Sequence, residues 1–196
     1  MNAAAPSTLA AVRSDSTRAV FPTDLLAGQE TALLLFCAGF YGRSDGIHVW
    51  DAGIPHVTGV DIDGTKLDVM RMLYPGWTLI EADVYSWASR QSMFTVISTA
   101  AIPVTPPWDI VILDPQINQA ERCYELLPLW CKLARNAVVL GTMRGTIERD
   151  HLHRLDCPAL PDGWYLDRVT ARNDTAHWIV ARPDNHHPPR PHRGAA

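Results

Sequence analysis

Residues 31–63 read TALLLFCAGFYGRSDGIHVWDAGIPHVTGVDID, and the rest of the chain is best understood outward from them. The stretch opens on Thr31 to Cys37, where the apolar residues run together instead of alternating with polar ones. That is the pattern of a short strand buried on both faces. A loop carrying Gly39, Gly42 and Gly46 follows. Ser44 can cap a helix on which Ile47, Trp50 and Ile54 recur at helical spacing, and Gly53 suits the left-handed residue that ends it. His56 to Ile62 is a second strand, and Asp63 can cap the helix after it. Strand, glycine turn, helix and strand make one step of an alternating α/β chain.

The same alternation continues. Leu67, Met70 and Tyr74 share one face of the next helix, which Pro75-Gly76 stops. Thr78 to Ala82 is a third strand. Residues 84–105 read as one helix and a loop, although the run MFTVI (93–97) also has strand character. Trp108 to Leu113 (WDIVIL) is a fourth, buried strand. Gln119 to Ala134 predicts one long helix, with Cys123, Leu126, Leu127, Trp130, Cys131 and Ala134 as its apolar stripe and Pro128 as a point of kinking. Ala137 to Thr142 is the fifth strand. Trp164 to Thr170 and Ala176 to Ala181 then read as two strands, joined by the turn residues Arg172-Asn173-Asp174. Together these predict an α/β fold: a doubly wound, mostly parallel seven-stranded sheet with a C-terminal antiparallel hairpin and helices on both faces.

Length and composition bound the rest. The 196 residues favour one domain, and 47% of them are hydrophobic, enough to bury a core. The division expected is an N-terminal arm over 1–30, a folded domain over 31–183 and a disordered tail over 184–196. The tail is rich in Pro, His and Arg and cannot build a core. No stretch approaches the roughly 18 apolar residues of a membrane span, so no membrane partner is expected. The N-terminus is a poor signal peptide. The four cysteines (Cys37, Cys123, Cys131 and Cys157) form no C-x-x-C pair, so reduced thiols and a cytoplasmic location are the expectation. A net charge of −4 argues against tight binding of naked nucleic acid, without excluding a local basic patch. His151, His153 and Cys157 lack an evident fourth ligand and read as a solvated helix face, so no metal site is expected. Arg144, Arg149 and Arg154 could meet a phosphate-bearing substrate, or simply face water. Nothing in the sequence sets the oligomeric state.

In open α/β sheets ligands bind beyond the carboxyl ends of the strands, where strand order reverses. At those ends the sequence places chemistry in a definite order. Strand one runs into Ala38-Gly39-Phe40-Tyr41-Gly42, where glycines allow close approach of backbone to a ligand. Strand two ends in Asp61-Ile62-Asp63. An acid about 20 residues after a glycine loop can bind both hydroxyls of a ribose, and Asp61 follows Gly42 at that spacing. Asp63 is the expected helix cap, which leaves Asp61 as the ribose candidate. Strand three ends in Glu81-Ala82-Asp83, where a carboxylate can accept the exocyclic amine of an adenine. Strand four ends in Asp114-Pro115-Gln116, at the centre of the crevice.

This ordered set resembles class I, Rossmann-like S-adenosylmethionine-dependent methyltransferases. The glycine loop, the helix ending in Ala52-Gly53 and the strand ending in Val60-Asp61-Ile62-Asp63 look like the first two motifs of that family. EAD at 81–83 and ILDP at 112–115 resemble the third and fourth, and the terminal hairpin resembles the family's reversed strand. The resemblance implies S-adenosyl-L-methionine as cofactor. The backbone of Cys37, Ala38, Gly39, Phe40 and Gly42 would hold its amino-acid end, Asp61 and Ile62 would meet the ribose side, and Asp83 with Val84 the adenine. The sequence departs from the family at Leu34 and Leu35, where an acid is common, and in its G-x-x-G-x-x-x-G spacing.

The first motif looks most like that of nucleobase-modifying members, which makes nucleic acid a candidate partner. Pro115 is followed by Gln116 and not by cysteine, against the covalent cytosine route. Asp114-Pro115 matches the first half of the Asp-Pro-Pro-aromatic motif of enzymes that methylate exocyclic amines. Asp114 and Pro115 are therefore the candidate catalytic residues. Two other readings stay open: a nicotinamide-dependent oxidoreductase, although G-x-G-x-x-G is absent, and a non-catalytic binding protein that keeps a degenerate site.

Overall fold

The computed structural model describes residues 21–37, 46–97, 107–115, 119–142, 159–170 and 177–183, without the side chains of 93–97, 142, 167–170, 177 and 178. Seven strands form one sheet: β1 (Thr31–Leu35), β2 (His56–Asp61), β3 (Thr78–Glu81), β4 (Trp108–Leu113), β5 (Ala134–Thr142), β6 (Trp164–Thr170) and β7 (His177–Pro183). Their order is β3-β2-β1-β4-β5-β7-β6. The pairs β1–β2, β1–β4, β2–β3 and β4–β5 are parallel. β7 runs antiparallel to both of its neighbours, β5 and β6. The predicted mostly parallel sheet with a closing antiparallel hairpin is thus the observed one.

The continuous apolar runs have their reason in the packing. In β1, Ala32 and Leu34 belong to one core cluster and Leu33 and Leu35 to the other. β4 divides in the same way, with Ile110 and Ile112 on one face and Val111 and Leu113 on the opposite one. A strand covered on both sides has no water-facing face, so no alternation develops. Each leucine, isoleucine or valine among them contributes on the order of 1.5–3 kcal/mol by burial. One face is covered by α1 (Gly46–Asp51) and α2 (Gly64–Leu73). The other is covered by α3 (Val84–Ile97), α4 (Ala120–Glu125) and α5 (Leu127–Leu133). Phe21 and Leu26, which precede β1 within the segment assigned to the arm, are buried in the first of these clusters, and the Phe21 ring stacks on His48 of α1.

Local signals act as expected at several boundaries. The Asp63 carboxylate accepts the Lys66 N–H and caps α2. Leu67, Met70 and Tyr74 are all buried on one helix face. Gly53 (φ 70°) and Gly76 (φ 96°) take the left-handed backbone needed to leave α1 and α2. The ambiguous run at 93–97 is helical, the end of a 14-residue α3 whose Val84, Trp87 and Ala88 pack at helical spacing.

Two boundaries differ most from the sequence reading, while β1, β2, β3 and β7 shift by one or two residues at their ends. The single helix expected over 119–134 is two, broken at Leu126 (φ −91°, ψ 12°). Pro128 sits in the first turn of α5. A proline there has no N–H to give to the preceding turn, and its ring crowds the carbonyl four residues back, so a new helix starts instead. β5 begins at Ala134, three residues before the predicted Ala137, because Trp108 of β4 already pairs with Ala134. The predicted turn at 172–174 and the tail over 184–196 lie outside the described residues.

Candidate functional site

Because β1, β2, β3 and β4 are parallel and in register, their carboxyl ends share one edge of the sheet. Leu35 pairs with both Val60 and Leu113, and Asp61 pairs with Glu81. Backbone hydrogen bonds carry the ladder one step further. Phe36 N–H donates to the Val60 carbonyl (3.0 Å), Asp114 N–H to the Leu35 carbonyl (3.2 Å) and Ala82 N–H to the Asp61 carbonyl (2.9 Å). Phe36, Asp61, Ala82 and Asp114 are thereby set side by side along the carboxyl edge of the sheet, where strand order reverses between β1 and β4.

At the end of β1, Phe36 has φ 60°, a left-handed conformation that costs a residue bearing a Cβ on the order of 1–2 kcal/mol. The turn is made before the glycines begin. It sends the Phe36 ring to the α3 side, edge-on to Tyr85 at 5.5 Å, and leaves Cys37 buried on the other side. A Cβ on Gly59 would come within 2.9 Å of the Cys37 sulfur, so a glycine in β2 makes room for that inward-turned thiol. With its side chain so occupied, Cys37 offers a ligand only its backbone. Ala38, Gly39, Phe40, Gly42 and Ser44 lie outside the described residues.

The acids divide by role. Asp61 is half-buried, and its Oδ1 accepts the Asp63 N–H at 3.0 Å, which fixes the carboxylate at the strand end. Asp63 is engaged with its own helix: its other oxygen meets the Lys66 ammonium at 3.0 Å. The hydrogen bonds from the Lys66 side chain and N–H hold the Asp63 carboxyl below the usual carboxylate range. Glu81 lies over the first residue of α2, where a Cβ on Gly64 would be 2.3 Å from the Glu81 Oε2. Asp83 caps α3, accepting the Ser86 N–H at 2.9 Å. The Ser86 hydroxyl and N–H hold Asp83 low as well. Val84 buries its side chain in the core. Ile62, by contrast, is 70% exposed at the end of β2, an aliphatic surface beside Asp61. Asp114, at the end of β4, is half-buried, and Pro115 beside it is buried.

Sequence reasoning did not single out the cluster beside Asp83. Tyr85, in the first turn of α3, is half-buried and its hydroxyl lies 3.5 Å from the Cys123 sulfur. The Arg122 guanidinium, from α4, sits 4.1 Å from the centre of the Tyr85 ring. Burial pushes the Cys123 thiol up to about 11, so it is no thiolate nucleophile at neutral pH. No spacing rule joins residues 36, 85 and 122; only the fold brings them together. Arg144, Arg149, His151, His153, Arg154, Cys157 and Gln116 lie outside the described residues. Among the described residues no group of three His, Cys, Asp or Glu could hold a metal ion, and no helix is long and apolar enough to cross a membrane.

No protein-family model matches the chain, and no curated protein matches it in sequence. Solved structures do match its fold. A TehB-like SAM-dependent methyltransferase from Corynebacterium glutamicum superposes with TM-score 0.53 at 18% identity, over 90% of this chain and 92% of its own. Human methyltransferase-like protein 13, solved in complex with SAH, gives 0.54 at 14% identity over 88% and 77%. TrmN from Thermus thermophilus gives 0.51 at 17% identity over 82% of this chain, which spans only 48% of TrmN. The chain therefore has the Rossmann-like fold of these methyltransferases.

Proposed function

We propose that this protein is an S-adenosylmethionine-dependent methyltransferase. The observation that carries the reading is the sheet order β3-β2-β1-β4-β5-β7-β6, with the antiparallel β7 set between β5 and β6. A nicotinamide-binding Rossmann sheet has no such reversed strand and expects G-x-G-x-x-G, which is absent. Structural neighbours solved with SAH support the cofactor.

The residues fit that cofactor. Asp61 is fixed by the Asp63 N–H at the distance from the glycine loop that suits a ribose. Asp83, with the backbone of Val84, would meet the adenine edge, and exposed Ile62 would cover one side of the adenosine. The backbone of Cys37, Ala38, Gly39, Phe40 and Gly42 would hold the amino-acid end. Carboxylates at the ends of β2, β3 and β4 make the rim negative, which favours a cation. When bound, S-adenosylmethionine supplies a methyl group already activated on its sulfonium. The protein's task is then alignment. Asp114 would accept a hydrogen bond from the acceptor's N–H, and buried Pro115 would hold Asp114 at that place.

The finer reading is methylation of an exocyclic amine of a nucleobase, supported by Asp114-Pro115 at the end of β4. Calorimetric titration with S-adenosylmethionine, S-adenosylhomocysteine and NAD tests the first level. Binding of the two sulfur nucleotides and not of NAD is expected, and binding of neither ends the enzyme reading. Incubation with radiolabelled methyl donor and pools of DNA, RNA, protein and small molecules tests the second. Label in a base amine is the expected outcome.

A further inference from the structure

We propose that Arg122 is a specificity residue that holds a single oxyanion, phosphate or carboxylate, carried by the methyl acceptor. The inference rests on the methyltransferase reading and extends it to the chemistry of the second substrate.

Three observations converge on this side chain. First is its place: α4 follows β4 shortly after Asp114-Pro115, and Arg122 stands in its first turn, against Tyr85 in the first turn of α3. Its charge is felt at Asp83, on the same rim, where it helps to hold that carboxyl low. Second is its support. The guanidinium lies over the Tyr85 ring at 4.1 Å. That ring is itself fixed by Phe36 against its edge and by Cys123 at its hydroxyl. A stacked guanidinium keeps its five N–H donors in plane and pointing outward, and loses less conformational freedom on binding a planar or tetrahedral oxyanion. Third is its electrostatic setting. Arg122 is exposed and, among the described residues, has no carboxylate within ion-pair distance. Lys66, another cation at these strand ends, is paired with Asp63.

Among the described residues Arg122 is thus the rim cation that is both held against an aromatic ring and unpaired with a carboxylate, whereas Arg90, which also acts on Asp83, stacks on no ring among them. The acids at the ends of β2, β3 and β4 repel an anionic acceptor and Arg122 attracts it, so that residue would also set the orientation in which the acceptor enters. A chain of net charge −4, with one such held cation among the described residues, suits an acceptor with one anionic group better than a polyanion.

The test uses the full chain, alone and saturated with S-adenosylhomocysteine, titrated separately with inorganic phosphate and with benzoate. The readout is the NMR signal of the Arg122 Nε–H group together with the binding isotherm. Saturable binding of at least one anion is expected. Arg122→Gln should weaken it by roughly ten- to hundredfold, the loss of a charge-assisted pair, while Arg90→Gln, which removes a nearby exposed charge of the same sign, leaves it unchanged. A response to phosphate alone assigns a phosphate-bearing acceptor, and to benzoate alone a carboxylate. No saturable binding in the wild type, equal binding in Arg122→Gln, or equal loss in Arg90→Gln overturns the proposal. Failure of S-adenosylhomocysteine itself to bind strikes the methyltransferase reading instead, and the titration of the chain alone still reads the Arg122 site.

Discussion

Replacing Asp109 should cost this domain about 3 kcal/mol without touching its ligand site. Asp109 stands near the amino end of β4, at the register shift where the pairing with β5 is irregular, and is the one charged residue in the buried set among the described residues. Its Oδ2 accepts the N–H groups of Glu30 (2.9 Å) and Thr31 (3.0 Å), and its Oδ1 meets Arg135 at 2.8 Å. Its own N–H donates to the Thr31 hydroxyl. One carboxylate so joins the starts of β1, β4 and β5. In Asp109→Ala two part-buried amides lose their acceptor, at about 1–1.5 kcal/mol each. The half-exposed Arg135 returns to water and adds about 0.5 kcal/mol. For a chain of this length that lowers Tm by about 6–12 °C. Urea unfolding followed by tryptophan fluorescence measures it. Asp109→Asn, which keeps one acceptor, should lie between the two. A loss under about 1 kcal/mol in Asp109→Ala, or an equal loss in Arg135→Gln, would refute the bridging role.

The same residue sets a pH dependence. Burial pushes the Asp109 carboxyl up, but the N–H groups of Glu30 and Thr31, the Thr31 hydroxyl and Arg135 together overcome that and hold it below the usual range. A lowered folded value means the stabilisation is present above the unfolded carboxylate pKa of about 3.9 and lost as pH falls through the folded value. The gap between wild type and Asp109→Asn should therefore be constant from neutrality down to about pH 5 and close below about pH 4.

Three further outcomes are expected. Asp61→Ala should weaken S-adenosylhomocysteine binding by about 2–4 kcal/mol, roughly thirty- to a thousandfold, from the loss of charge-assisted bonds to two hydroxyls; calorimetry showing less than a threefold change would remove the ribose assignment. Gly59→Ala should cost about 1–3 kcal/mol, because the new Cβ would lie 2.7 Å from Leu79 Cδ2 and 2.9 Å from Cys37 Sγ; unchanged thermal unfolding would show that both side chains yield freely. Cys123, buried and shifted up to about 11, should escape iodoacetamide at pH 8 in the folded protein and react once unfolded. Mass spectrometry of the labelled peptide decides this, and native labelling at the unfolded rate would count against the burial.

What the chain reveals by itself is whatever depends on neighbours in sequence. Thr31–Leu35 and Trp108–Leu113 declare themselves as buried strands because the apolar runs within them, 32–35 and 110–113, have no other use in so short a segment. Asp63 announces α2 because a cap needs only its own backbone three residues on. Gly53 and Gly76 mark helix ends through a conformation that is intrinsic to glycine. The strand-end acids were legible for the same reason: a parallel sheet puts every strand's carboxyl end on one edge, so order along the chain becomes proximity in space. Pro128 was legible as well, but the stripe of apolar residues runs through it, and only the packed structure shows a break at Leu126 in place of a bend.

The tertiary structure decided what depends on partners far apart in the chain. Asp109 reads as one polar residue at the start of an apolar strand, and becomes a bridge because Glu30, Thr31 and Arg135 converge on it. The place of β7 between β5 and β6 has no local signature, since a hairpin can present either strand to the sheet. Arg122 over Tyr85, with Phe36 at its edge, exists only because α3 and α4, which follow strands three places apart in the sheet, pack on the same face of it. Secondary structure and caps follow from short-range sterics and hydrogen bonding, which a sequence encodes residue by residue. Strand order and the company each charged group keeps follow from which surfaces bury each other, and those are chosen by the whole chain at once.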